Sequence, residues 1–191
     1  MPDSVRRSEA RAISNEEIVS ATRRWLEKSV IGLNLCPFAE IPYRGNRVRF
    51  QVSEQRSAAG LLEELRSELT LLASTDPKAC ETALLIHPWV LTGFIEYNDF
   101  LEVCDEAVRG LDLEGVLQVA SFHPQYQFAG TQPDDIENYT NRSPYPMLHL
   151  LREASVERAV EAAGDTEAIY RRNIRTLRAL GHAGWARLWI E

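Results

Sequence analysis

Ile18, Thr22, Trp25, Leu26, Val30 and Leu33 recur at helical spacing and keep one face of an opening helix apolar. Ahead of them Ser14-Asn15-Glu16-Glu17 reads as a capping box, with Ser14 as N-cap and Glu17 reaching back. Gly32 and Pro37 bring that helix to its end. Val48–Val52 alternates Val48, Phe50 and Val52 against Arg49 and Gln51, the period of a half-buried strand. Leu61, Leu65, Leu69 and Leu72 then stripe a second helix, with Glu63, Glu64 and Arg66 on its wet side. The unbroken apolar run Ala83–Ile86 has the length of a buried strand. Thr92 is placed to cap a third helix carrying Phe94, Tyr97, Leu101, Cys104 and Val108 on one face, with Gly110 near its end. Val116–Phe122 is again strand-like.

Ser143-Pro144 has the form of an N-cap and first turn, which predicts a helix to about Arg152. Asp165 caps a last major helix with Ile169, Ile174, Leu177 and Leu180 inward and Gly181 as its stop. The tail His182–Ile190, with two tryptophans, is expected to pack back on the body. Strands alternating with helices predict an α/β domain over residues 15–191, with residues 1–14 a frayed tail. The expected architecture is a small, mainly parallel three-stranded sheet flanked by helices, with the C-terminal helices packed on it. A ferredoxin-like mixed sheet is the competing arrangement.

Composition narrows the class. The chain has 191 residues, 45% hydrophobic and 26% charged, with a formal charge of −7. That balance suits one core and disfavours unspecific nucleic-acid binding, which draws on clustered Lys and Arg. No run approaches the ~20 apolar residues of a bilayer span. Met1–Arg11 is charged and lacks the apolar centre of a secretory signal. Three cysteines without close pairing fit a reducing cytoplasm rather than a disulfide framework. Without an export signal, the acceptor patterns at Asn138-Tyr139-Thr140 and Asn141-Arg142-Ser143 carry no weight.

The stretch from Ser121 to Arg152 is the most informative one. It leaves a strand and holds imidazoles, guanidiniums, amides and aromatics in a connection far longer than the usual ~4–6 residues. Its aromatics and prolines suit a packed loop rather than disorder. The second and third strands end in His87-Pro88 and His123-Pro124. If those strands are parallel, both His-Pro steps emerge at one carboxyl edge, where open α/β sheets bind ligands.

Asn34-Leu35-Cys36-Pro37-Phe38, Tyr97-Asn98-Asp99-Phe100, Ser121–Thr131, Asn138–Arg152 and His182-Ala183-Gly184-Trp185 together resemble a bacterial family known as domain of unknown function 1415. The resemblance covers nearly the whole chain beyond about Asn15. It implies a bacterial, cytoplasmic, single-domain protein, and it implies no activity, cofactor or catalytic residue.

Candidate chemistry therefore comes from the residues. His123, at a strand end before Pro124, is placed for acid/base work or for pinning the turn. Cys36, before Pro37, is either a cap-activated nucleophile or a small apolar residue between Leu35 and Phe38. Cys80 and Cys104 read as structural. On the expected helix Tyr145, His149 and Arg152 share a face. With Arg142 at its start they make a candidate anion site, to which Gln125 and Asn138 add amides. The alternative pairs the arginines with Asp134, Asp135, Glu137 or Glu153. His87, His123 and His149 are candidate metal ligands without a recognisable spacing. There is no Gly-rich phosphate loop, GxGxxG, GxSxG, HExxH or CxxC.

The expected function is an enzyme or binder for a small anionic metabolite, in a pocket at the strand carboxyl ends. The alternatives are a histidine metal site and an interaction module built on Tyr126, Phe128, Tyr139 and Tyr145. Partners expected are a small molecule, no nucleic acid and no membrane. No cofactor or oligomeric state is legible.

Overall fold

A computed structural model describes residues 13–163 and 165–190. Most of the expected tail, residues 1–12, lies outside the described residues. The first helix, α1, spans Asn15–Trp25 behind the Ser14/Glu17 capping box, and a π-helical turn Leu26–Ile31 carries it on. A short helix α2 (Glu40–Arg44) leads to β1 (Val48–Val52). Then come α3 (Ala58–Ser74), β2 (Thr82–Ile86), α4 (Phe94–Gly110) and β3 (Leu117–Phe122). A 3-10 turn at Ile136–Thr140 sits in the long loop, followed by β4 (Met147–Arg152), α5 (Glu153–Ala163) and α6 (Thr166–Arg187). Gly93, not Thr92, caps α4. Gly181 does break the last helix, at φ 61°, and a second helical stretch continues beyond it to Arg187.

The fold is α/β, but the sheet is four-stranded and mixed, in the order β1-β2-β4-β3. β1 and β2 are parallel, and β4 is antiparallel to both β2 and β3. The expected three-stranded, mainly parallel sheet is thus corrected by β4, formed where a helix was expected. Ser143 does not cap a helix; its hydroxyl donates to the Tyr145 carbonyl. An apolar run as short as Met147–Leu151 has no period that separates helix from strand. Pairing decides: β2 and β3 point the same way without touching, and Met147–Arg152 fills the gap between their free edges.

Side-chain parity sorts the core. Ala83, Leu85, Leu148 and Leu150 face the leucine stripe of α3 and Tyr97, Phe100 and Cys104 of α4. Leu84, Ile86 and Met147 face Ile18, Trp25, Leu26 and Val30 on the other side. β2 is buried along its whole length, as its unbroken apolar run requires of a central strand covered on both faces. α6 packs on the 3-10 turn, where Arg178 pairs with Glu137 at 2.7 Å.

Polar side chains close both ends of the sheet. The buried Tyr97 hydroxyl donates to the Met147 carbonyl at 2.9 Å and accepts the Phe122 N–H at 3.0 Å, joining the last residue pair of β3 and β4. At the other end Arg152 Nη2 reaches the carbonyls of Leu72, Thr75 and Cys80, tying β4 to the end of α3.

Removing the phenol would leave two buried backbone groups without a partner. Tyr97→Phe is expected to cost about 2–3 kcal/mol in urea unfolding, whereas Ile95→Ala on the same helix, at 72% exposure, should stay within about 0.5 kcal/mol.

Candidate functional site

β2 and β3 run in the same direction, so His87 and His123 do emerge at one edge, beside the start of β4. The His87 N–H donates to the Pro146 carbonyl and the His123 N–H to the Asn141 carbonyl. Both imidazoles are fully buried. His87 Nδ1 is 2.9 Å from the Val90 carbonyl, which only accepts, so the proton sits on Nδ1. Nε2 is then a bare lone pair, and it has no partner in its buried position. The ring stacks on Tyr97 with centroids 5.7 Å apart.

His123 has the opposite tautomer. Its Nδ1 accepts the Gln125 N–H at 3.0 Å, so Nε2 carries the proton and donates to the Leu91 carbonyl at 3.3 Å. Leu91 is a non-glycine residue at φ 54°, a conformation seldom seen in branched side chains, and this bond helps hold it. Phe94 and Tyr97 close over the ring at 5.5 and 5.0 Å. Both nitrogens of His123 are therefore committed to neighbouring loops. Burial lowers the pKa of His123 below its ordinary value and that of His87 to about 4.

The long loop is organised by amides and a guanidinium. Asn138, fully buried, accepts from the Phe128 N–H and the Thr131 hydroxyl and donates to the Gln132 carbonyl. Arg142 donates to the carbonyls of Tyr126 and Pro133 and lies over the Tyr139 ring at 4.4 Å, so it pairs with none of the four carboxylates considered from the sequence. Its own carbonyl accepts the Trp25 indole N–H at 2.8 Å. Gln125 is exposed and Tyr145 packs under the α1 layer. The loop rings form a packed chain rather than a splayed surface, with Phe94 and Tyr126 5.2 Å apart, Tyr126 and Phe128 5.0 Å, and Tyr139 and Trp185 4.9 Å.

The four residues expected in one concave site are not brought together. His123 and Arg142 share the carboxyl edge. His149 and Arg152, three apart on a strand, point to opposite faces, because strand side chains repeat every two residues. Arg152 pairs in register with Leu117 at the far end of the sheet, about 17 Å from the Met147 end at ~3.4 Å per residue. The Thr82 hydroxyl gives its one proton to the Leu150 carbonyl, so His149 Nε2–H donates to Thr82 Oγ1, 2.8 Å away. His149 is half-buried on the α1 side of the sheet, and desolvation there lowers its pKa to about 4. It is thus separated from His87 and His123 by the sheet. Among the described residues no group of three His, Cys, Asp or Glu side chains converges as a metal site.

Cys36 also lies in the α1 layer. Together with His149 it lines an apolar cavity of about 30 Å³. Burial raises the pKa of its thiol, against the smaller pull of the Phe38 and Ala39 N–H groups and of Arg172. Burial pushes Cys104 up to about 12 and raises Cys80 as well.

At the carboxyl edge the open space is a cleft of about 340 Å³ between α1, the long loop and the end of α6. Arg24 and Arg142 line it with Trp25, Tyr139, Trp185 and Trp189. Arg24 is exposed and makes no hydrogen bond or ion pair with a described residue. Sequence reasoning missed Arg24, since nothing near it in the chain announces the loop it meets. Trp185 and Trp189 belong to the C-terminal stretch that was expected to pack back on the body.

The imidazoles of His87 and His149 set an acid limit. His87 and His149 have native pKa values of about 4 against an ordinary 6.5. Between those values the unfolded chain holds more protons, so their stabilising contribution is complete above pH 6.5 and is lost as pH falls through 4. Each is expected to add about 1.4 kcal/mol per pH unit to the slope of unfolding free energy in that window. Denaturant unfolding across it should show His149→Gln with a shallower slope than the parent, whatever its absolute stability.

Among the described residues no helix is long and apolar enough to cross a membrane. Neither the curated proteins nor the solved structures give a match to the chain. A family model does match, over residues 17–187, and on that match the chain belongs to the family described as Protein of unknown function (DUF1415).

Proposed function

We propose that the protein binds a small anionic molecule bearing a flat ring, in the cleft at the carboxyl edge of the sheet. One observation carries this reading: among the described residues the lining includes two guanidiniums and four aromatic rings but no carboxylate. In a chain of formal charge −7 that is a local excess of positive charge. A guanidinium offers a planar fork to a carboxylate or phosphate. Aromatic walls favour a planar body by stacking and edge-to-face contact. A volume near 340 Å³ falls within the range of small-ligand pockets.

Within this reading the roles divide by position. Arg24, without a hydrogen-bond or ion-pair partner among the described residues, meets the anion, while Arg142, already stacked on Tyr139, shapes the wall. Trp185 and Trp189, 5.7 Å apart and edge to face, close the far side. Asn138 acts one step back by fixing the loop. The committed nitrogens of His123 and a lining that does not include Cys36 favour recognition over acid/base or nucleophilic chemistry in this cleft. The packing of the loop rings against the body favours a pocket over a flat docking surface.

Tryptophan fluorescence tests the proposal, because three of the four indoles line the cleft. A panel of ring-bearing phosphates and carboxylates, from adenosine monophosphate to benzoate, should contain a member that quenches emission saturably. Arg24→Ala should weaken that ligand roughly 10- to 150-fold, the loss of one charge-assisted contact, with the melting temperature of the free protein unchanged. Silence across the panel, or an Arg24→Ala variant that binds as the parent does, would sink the reading.

A further inference from the structure

A second cleft, of about 410 Å³, opens at the other end of the sheet. We infer that it is a separate site for a small oxyanion with a short apolar body, its head held by Arg47, Arg158 and Arg172 and its body lying against Phe38 and Ile41. This site is independent of the aromatic cleft and does not rest on the function proposed for it.

The charged wall is built around Glu81, which is 6% exposed. Arg47 Nη1 lies 2.9 Å from Glu81 Oε2, and the Ser155 hydroxyl donates to Oε1. Arg158 Nη2 donates to Ser155 Oγ at 2.8 Å and stands 3.9 Å from Oε1. Arg172 Nη2 is anchored on the Asn34 carbonyl at 2.8 Å. Two guanidiniums thus flank one carboxylate, and a third, that of Arg172, lines the same cleft. An oxyanion entering the cleft meets surplus donors whose geometry is already set by a buried acid, a serine and a backbone carbonyl. The elements that carry them, the entries to β1 and β2 and the helices α5 and α6, are brought side by side only by the sheet.

The opposite wall is apolar. Ile41 is 71% exposed at the lip and Phe38 lies beside it, so a purely inorganic anion would leave this wall wet. Phe38 and Pro42 also line the inner cavity that holds Cys36 and His149, which makes them the partition between the two spaces. A body packed against Phe38 would hinder any opening toward the thiol. Alkylation of Cys36 is therefore a local readout of occupancy.

Hexyl phosphate, hexanoate, inorganic phosphate and hexylamine serve as probes, followed by isothermal titration and by mass spectrometry of iodoacetamide labelling at Cys36. Both six-carbon oxyanions should bind and slow the labelling of Cys36 relative to Cys80. Inorganic phosphate should bind more weakly than hexyl phosphate, and hexylamine should not bind. Arg158→Gln and Arg172→Gln should each weaken hexyl phosphate by about tenfold or more, whereas Arg24→Ala should leave it unchanged. If Arg172→Gln loses its fold with the Asn34 contact, Arg158→Gln carries the test alone, because that side chain is 67% exposed. Binding that survives Arg158→Gln, gains nothing from the hexyl group, or disappears with Arg24→Ala would overturn the assignment, and the last result would move the oxyanion to the aromatic cleft.

Discussion

The pairing of Met147–Arg152 with both of its neighbours is the constraint on which the molecule depends. β2 and β3 each present one free edge to the gap between them, and a strand there satisfies both ladders at once. Because it runs against both, the ends of β2 and β3 meet its beginning. That brings His87, His123 and the start of the long loop to one edge. The same strand sorts its own side chains by parity. Leu148, Leu150 and Arg152 go to the α3/α4 layer, and Met147, His149 and Leu151 take the opposite direction from the ladder. Three histidines that look like one set in the chain are thereby divided between two layers.

Most of the conspicuous polar residues do their work on backbone groups. Tyr97 closes one end of the β3–β4 ladder, Arg152 satisfies carbonyls at the other, and Asn138 and Arg142 hold the loop. His123 bridges two loops, one of them bent at Leu91. A long connection with little regular structure has many backbone donors and acceptors to satisfy, and buried amides, imidazoles and guanidiniums meet that need at fixed positions. The loop is rich in functional-looking side chains partly because it must be built from them. Arg24 at one end and the guanidiniums near Glu81 at the other are the groups on which the two proposed sites rest.

The two clefts differ in kind. One is walled by indoles and a phenol, the other by proline, phenylalanine and isoleucine facing a charged cluster. Between them lies the small apolar cavity with Cys36 and His149, which shares Trp25 with the first cleft and Phe38 with the second. Both clefts concentrate positive charge on a protein whose overall charge is negative. On the proposed readings, an anionic ligand would be attracted locally while the rest of the surface repels it.

What the chain determined by itself is whatever depends on near neighbours. The Ser14/Glu17 box, the alternation of Val48–Val52, the leucine stripe of α3 and the Asp165 cap all stand where their spacing put them, because capping and amphipathic period are set within a few residues. The family resemblance was legible for the same reason, in contiguous stretches. The nature of Met147–Arg152 was decided elsewhere. Its residues suit a helix as well as a strand, and only two open edges some 60 and 30 residues earlier in the chain settle the matter. The sites followed that decision. His149 and Arg152 parted company once their period became two instead of 3.6. Arg24 met Trp185, and Arg47 met Arg172, through contacts between residues far apart in sequence, for which no local pattern exists to be read. Local chemistry chose the elements; the pairing of distant edges chose which side chains would share a cleft.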